Sequence, residues 1–271
     1  MQQANTAQAK ELEKKKQNLP QTIDLEGSAG EGQEFITARD TKLPILKILY
    51  ANSPVLNEDD GKYIETAKQG DIYNEVTGNL WKGKEGIIVV PCLYINTFNE
   101  WKDRGDSPGR PVKIHTDPAI MSDTTRGDDN KDRLPNGNYV EDTGNHFVFI
   151  LDKDYIPQEQ ALITMKSTQK KKSKTWNSMM QTRRMKGSKG FFRPPTWATT
   201  YKLTTTKESN SQNHWYGWVV EFDKYLTNDN AKALEITREF YNNAKAMDIF
   251  GKVDYSSSDI NQETKKTATP F

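Results

Sequence analysis

Apolar positions along this chain come in short runs, and most runs alternate with polar residues. The clearest begins after Gly86. Ile87 to Val90 is β-branched, and Tyr94, Asn96 and Phe98 carry the strand in alternation to Trp101. That pattern predicts a strand buried at one end and half-exposed at the other. Pro91 interrupts it, which predicts a bulge or an edge position. His146 to Leu151 and Ala161 to Met165 read as two further strands. Thr168 stands where it would cap a helix running to about Met185, with Trp176, Met179 and Met180 on one face. Trp197 to Thr206 alternates as a strand, and Trp215 to Phe222 is the last strand. A helix from about Asp229 to Ile249, capped by Asn228, follows.

Upstream, the run from Leu43 to Tyr50 is short and apolar, and Gly70 to Gly78 suggests a small hairpin. The stretch from Lys102 to Gly144 is polar and rich in Gly, Pro and Asp. It reads as a surface excursion with a hairpin-type turn at Asn136-Gly137. Residues 1–36 form a polar arm without an apolar face, and residues 251–271 a polar tail. The ordered part is expected to span residues 37–250. Its elements run strand, strand, strand, helix, strand, strand, then an added helix. This predicts a mainly β fold with helices: an OB-fold-like five-stranded barrel with a helix between strands three and four, a long inserted loop and a C-terminal helix.

Charge changes this picture. The chain of 271 residues has a net charge of +1, yet twelve Lys or Arg and no acidic residue lie between Gln160 and Lys207. The remainder is therefore acidic, and the basic stretch suits a local anionic partner. A solvated lysine-rich face is the bland alternative on charge alone. The stretch also carries rings. Lys166, Lys170, Lys171, Lys172, Lys174, Arg183, Arg184, Lys186, Lys189 and Arg193 are interleaved with Trp176, Phe191, Phe192, Trp197 and Tyr201. Phosphates need spaced cations, and unpaired bases need flat surfaces, so the combination points to single-stranded rather than duplex nucleic acid.

The rings do not carry equal weight. Trp176 reads as core, on the inner face of its helix. Trp197 and Tyr201 share strand parity, so both face one side, either barrel interior or ligand. Phe191 and Phe192 follow Gly190 in a loop and are the better candidates for stacking. Tyr94, Phe98 and Trp101 on the first long strand form a second candidate platform, beside Lys102 and Arg104. Tyr216 and Trp218 face one side of the last strand and Trp215 the other, with Gly217 leaving room for a base or a backbone.

Catalytic and metal chemistry has little support. Cys92 is the single cysteine, and His115, His146 and His214 lie far apart. Neither zinc-ligand spacing nor a disulfide is available. Asp123, Asp128, Asp129 and Asp132 lack the glycine and terminal Glu of a calcium loop. Asp71, Glu75 and Glu85 form no recognisable nuclease set. No cofactor is expected, and no apolar run near twenty residues suggests a membrane span.

The segments LPILKILYANSP, GDIYNEVTG, VVPCLYINTFNEW, LPNG before NHFVFIL, MKSTQKKKSKTWNSMM, and YKLTTTKESN before HWYGW occur in that order. From about Leu43 to Phe222 the chain resembles a group of bacteriophage proteins that look like single-stranded-DNA-binding proteins of replication and recombination. The resemblance implies a non-enzymatic, sequence-tolerant binder in the cytoplasm of an infected bacterium, with DNA contact on the lysine-rich helix around Trp176. The terminal Pro270-Phe271 is similar to the tip by which bacterial single-stranded-DNA-binding proteins dock onto replication or recombination partners, although Lys265 and Lys266 depart from the acidic tail seen there. Association with a second copy stays open. A small nuclease of DNA metabolism and a DNA-contacting virion or scaffold protein are the competing readings.

Overall fold

The computed structural model describes residues 27–36, 40–42, 44–103, 105, 110–211 and 213–246. The chain divides into two units, 1–40 and 41–271. Of the first, residues 27–36 run as consecutive turns. The rest of the expected N-terminal arm and the whole C-terminal tail, with Pro270 and Phe271, lie outside the described residues.

The second unit is mainly β with few helices, and its large sheet is curled, antiparallel and barrel-like. It opens with a small sheet of β1 (Leu46–Ile48), β2 (Ile72–Asn74) and β3 (Leu80–Trp81). The turn at Thr77-Gly78 joins β2 to β3 as the sequence predicts. The long strands follow. β4 (Ile87–Trp101) pairs with β8 (Tyr139–Leu151), and β8 pairs with β9 (Pro157–Met165). On its other edge β4 pairs with β12 (Thr199–Ser209), which pairs with β13 (His214–Tyr225). Between β4 and β8 lie the short β5 (Lys113–His115), β6 (Thr125–Arg126) and β7 (Asp132–Arg133).

A register shift between Pro91 and Leu93 is the bulge expected at that proline. β8 starts at Tyr139, seven residues before the apolar run that marks it in the sequence. Its polar first half is held by partners on β4, where Asn145 donates to Thr97 at 3.0 Å, and both side chains are buried. The excursion is correspondingly shorter and is tied down at its base. Glu100 is buried, its carboxylate accepts from Asn138 (2.6 Å) and Asn136 (3.1 Å), and His115 lies 3.0 Å away. Burial pushes this carboxyl up, but hydrogen bonds from Asn138, His115 and Asn136 outweigh it and hold it below its ordinary value.

Helix α1 (Lys170–Thr182) crosses the open side of the curled sheet, preceded by a 3-10 turn, Ser167–Gln169. It begins later than Thr168 and ends before Met185, which belongs instead to a hairpin of β10 (Met185–Gly187) and β11 (Gly190–Phe192). α1 buries Ser173, Trp176 and Met180 against Ile163, Met165, Tyr201, Leu203 and Trp218. This close approach needs Gly144: a Cβ there would sit 2.4 Å from the Ser173 hydroxyl. His146 lies beneath, stacked on Trp176 at 4.3 Å and bonded to Ser173 at 2.8 Å. Burial, with Lys170 nearby, lowers its pKa to about 3. Helix α2 (Ala231–Ala246) follows a 3-10 turn, Asn228–Asn230, so Asn228 opens that turn rather than capping the helix. α2 covers the outer side near Phe149, Leu151 and Cys92, where burial raises the thiol pKa.

Candidate nucleic-acid interface

The basic stretch is one continuous feature in the sequence but two kinds of surface in the fold. Around the start of α1, Lys166, Lys170 and Lys172 are paired. Lys166 binds Glu141 at 3.0 Å and also lies 5.6 Å from the centre of the Trp101 ring. Lys170 binds Asp142 at 2.5 Å and Asn96. Lys172 binds Glu208. The carboxylates come from β8 and β12, so these bridges clamp the helix to the sheet.

Lys171, Lys174, Arg184, Lys186, Lys189 and Arg193 are exposed and have no ion pair with any described residue. Arg183 lies flat against Phe222, 3.6 Å from its ring centre, and Arg184 donates to the carbonyls of Gln181 and Arg183. Tyr225 donates to the Arg184 carbonyl at 3.2 Å, tying the end of α1 to β13.

The hairpin after α1 presents the rings. Lys186 faces Phe191 across the two strands, and Met185 faces Phe192. Partners directly opposite share a face of the sheet, so a cation and a ring stand side by side. Phe191 is 77% exposed and Phe192 44%, unusual for rings in a two-stranded hairpin. The loop expected there is thus an ordered platform. Gly190, with φ of +112°, makes the turn that a side chain would resist.

Other expected contacts fall elsewhere. Tyr201 is fully buried, with its ring edge-on to Trp176 at 5.7 Å, so it fills the core and offers no stacking surface. Trp197 sits in a 3-10 turn, Thr196–Ala198, and not on the strand of Tyr201, so strand parity does not relate them. It is half-buried against the α2 side. Tyr94 lies over His146 at 4.8 Å and donates to Asn96, supporting the Lys170 cluster. Phe98 is buried and so offers no stacking surface, and Trp101 is half-buried under Lys166. At Gly217 the space a side chain would need is taken by the ends of Lys172, Glu208 and Gln169.

Sequence reasoning missed a cleft of about 660 Å³ between the β1–β2 sheet and the turn before α1. Tyr50, Tyr73, Trp215, Lys62 and Glu75 are among its lining residues. Nothing in the sequence brings residues near 50 and 75 to residues near 167; the parallel bridge of Ile45 to Leu162 does so. Among the described residues no three His, Cys, Asp or Glu side chains gather as a metal site, and no helix is long and apolar enough to cross a membrane.

These features define a mainly β, barrel-like protein with a clamped helix and an unpaired basic and aromatic surface at that helix's far end. The family model described as Pam3 phage gp34-like protein matches residues 13–249, and the chain belongs to that family; it is a phage protein. No curated protein and no solved structure matches it.

Proposed function

We propose that this protein binds single-stranded DNA without sequence preference during phage replication and recombination, as a binder and not an enzyme. The observation that carries the reading is the α1–hairpin surface, where exposed Phe191 stands beside Lys186 among cations that have no carboxylate partner among the described residues. Those cations are available to phosphates, and the rings to bases. A duplex would use the cations and leave the rings in water.

The sheet supports the finer fold reading. Its five long strands lie in the order third, second, first, fourth, fifth, with α1 between the third and fourth. An OB-type barrel uses that strand-and-helix succession, and such barrels are common platforms for single strands. The tail tip, Pro270-Phe271, is the proposed contact with replication or recombination proteins, and the host cytoplasm the proposed location.

The test is a titration with single-stranded and duplex oligonucleotides at two salt concentrations, followed by tryptophan fluorescence. Tight, salt-sensitive binding to the single strand is expected. Equal affinity for duplex sinks the proposal, and magnesium-dependent cleavage of the oligonucleotide replaces it with the nuclease reading.

A further inference from the structure

We infer that the cleft between β1–β2 and the Ser167–Gln169 turn is a second base-binding site, so that one DNA strand runs along α1 from the cleft to the Phe191–Phe192 hairpin. This rests on the single-strand reading above and adds a path and a new set of contacts.

The cleft has the composition of a base pocket and not of a phosphate pocket. Tyr73 and Trp215 offer half-buried rings, and Tyr50 is 45% exposed. The Trp215 ring is held in place by its N–H donating to Glu208 at 2.8 Å. A ring fixed before binding loses little freedom when a base stacks on it. Two of the three lysines on the wall are taken: Lys47 pairs with Glu75 at 2.8 Å and Lys166 with Glu141 at 3.0 Å. A phosphate deep in the cleft would meet the Glu75 carboxylate, whereas a base offers flat apolar faces and N–H groups. Lys62, also lining the cleft, is exposed and has no ion pair with a described residue, so it can take a phosphate beside the bound base.

The turn supplies a second, independent sign. Ser167 lines the cleft with φ of +48°, a left-handed conformation that costs a non-glycine residue energy. Such strained residues gather at ligand clamps.

The spacing connects the two sites. The cleft meets the chain immediately before α1, and the hairpin begins immediately after it. The 13 residues of α1 span about 20 Å at ~1.5 Å each. Lys171 and Lys174, three positions apart on one helical face, lie exposed between the two ends. They give phosphates a hold at the cleft end of the helix, and exposed Arg184 gives the next one just past its far end.

The experiment uses the full chain and oligothymidylates of about 4 and about 16 nucleotides, spanning the usual range for such barrels. Photocrosslinking of the longer probe, with halogenated uracils along it, is read by peptide mass spectrometry. Affinities are measured for Tyr50→Ala, Lys62→Glu and the double variant Phe191→Ala/Phe192→Ala, with thermal unfolding as the folding control. Crosslinks are expected on both the cleft residues and the hairpin. The cleft variants are expected to lose about tenfold in affinity for the longer probe. Crosslinks on the hairpin alone, with unaltered affinity in Tyr50→Ala and Lys62→Glu, overturn the cleft site and leave the single-strand reading standing. Absence of binding by the unmodified chain overturns both. Lys62→Glu keeps the test decisive if Tyr50→Ala fails to fold, because Lys62 is exposed.

Discussion

Salt dependence separates the two populations of lysine. A cation already paired with a carboxylate neutralises no phosphate and so releases none of the counterions condensed on the DNA. The free set on α1 and the hairpin is Lys171, Lys174, Arg184, Lys186, Lys189 and Arg193. At about −0.7 per phosphate contact on a single strand, these six contacts give a slope of log affinity against log salt of about −4, and Lys62 at the cleft would bring it to about −5. Between about 50 and 200 mM salt a slope of about −4 is a loss of about 300-fold. If Lys166, Lys170 and Lys172 abandoned Glu141, Asp142 and Glu208 to bind phosphates as well, the slope would be about −6. Removing Lys186 and Lys189 together should bring it to about −3. Lys172→Ala should leave it near −4, because that ammonium is occupied by Glu208. The assay is fluorescence titration of an oligothymidylate at five or more salt concentrations. A slope near zero would refute phosphate binding. A slope near −6, or one that falls as much in Lys172→Ala as in a hairpin lysine variant, would refute the division into clamped and free cations.

Replacing Phe191 or Phe192 by Ala should weaken single-strand binding by about 1–3 kcal/mol for each base stacked. Unfolding free energy should change by no more than about 0.5 kcal/mol, since both rings are exposed, and a larger loss would show that they hold the fold. Trp176→Ala should cost about 3–5 kcal/mol in urea unfolding, because the ring is fully buried between His146 and Tyr201; a cost below about 1 kcal/mol would contradict that packing. His146 stays neutral in the fold down to about pH 3, whereas the unfolded chain protonates it near 6.5. Between those values the unfolded state binds the extra proton, so this residue lowers stability as pH falls from 6.5 toward 3. His146→Phe should flatten that limb of a pH series of urea midpoints, and an unaltered limb would refute the assignment.

The strands were legible where burial forces a pattern, and illegible where hydrogen bonding does the same work. Ile87 to Val90 and His146 to Leu151 announce themselves because both faces or one face must avoid water. The first half of β8 does not, since Thr143 and Asn145 are buried as polar groups with partners on β4 or β8. Rings are harder still. Tyr201 and Phe191 lie ten residues apart in one basic stretch, yet one is fully buried and the other 77% exposed. Hydrophobicity alone cannot separate them. The separation comes from α1, which lies over Tyr201 and stops before Phe191. The 3-10 turn at Thr196–Ala198 likewise breaks the alternation that would have put Trp197 on the same side as Tyr201.

Charge was the most visible feature of the sequence, and its partners were the least visible. Glu141, Asp142 and Glu208 stand 25 to 36 positions from the lysines they bind. The arrangement has a physical reason. Lys170, Lys171 and Lys172 open α1, where the helix dipole is positive and no acidic residue is present in the first turn. Cations there are unfavourable unless anions are supplied. The sheet supplies two, Asp142 to Lys170 and Glu208 to Lys172, and Lys171 between them is left unmatched. Arg183 and Arg184 directly follow the last turn of α1, at the negative end of its dipole, where a cation is favourable without a carboxylate. The start of the helix is therefore neutralised by the protein itself, while Lys171 and the cations beyond it stay open to an anion from outside. Net charge near zero and a strongly basic local surface are compatible for this reason: the carboxylates of the sheet are spent on the lysines around the start of the helix, and the hairpin beyond it brings none of its own.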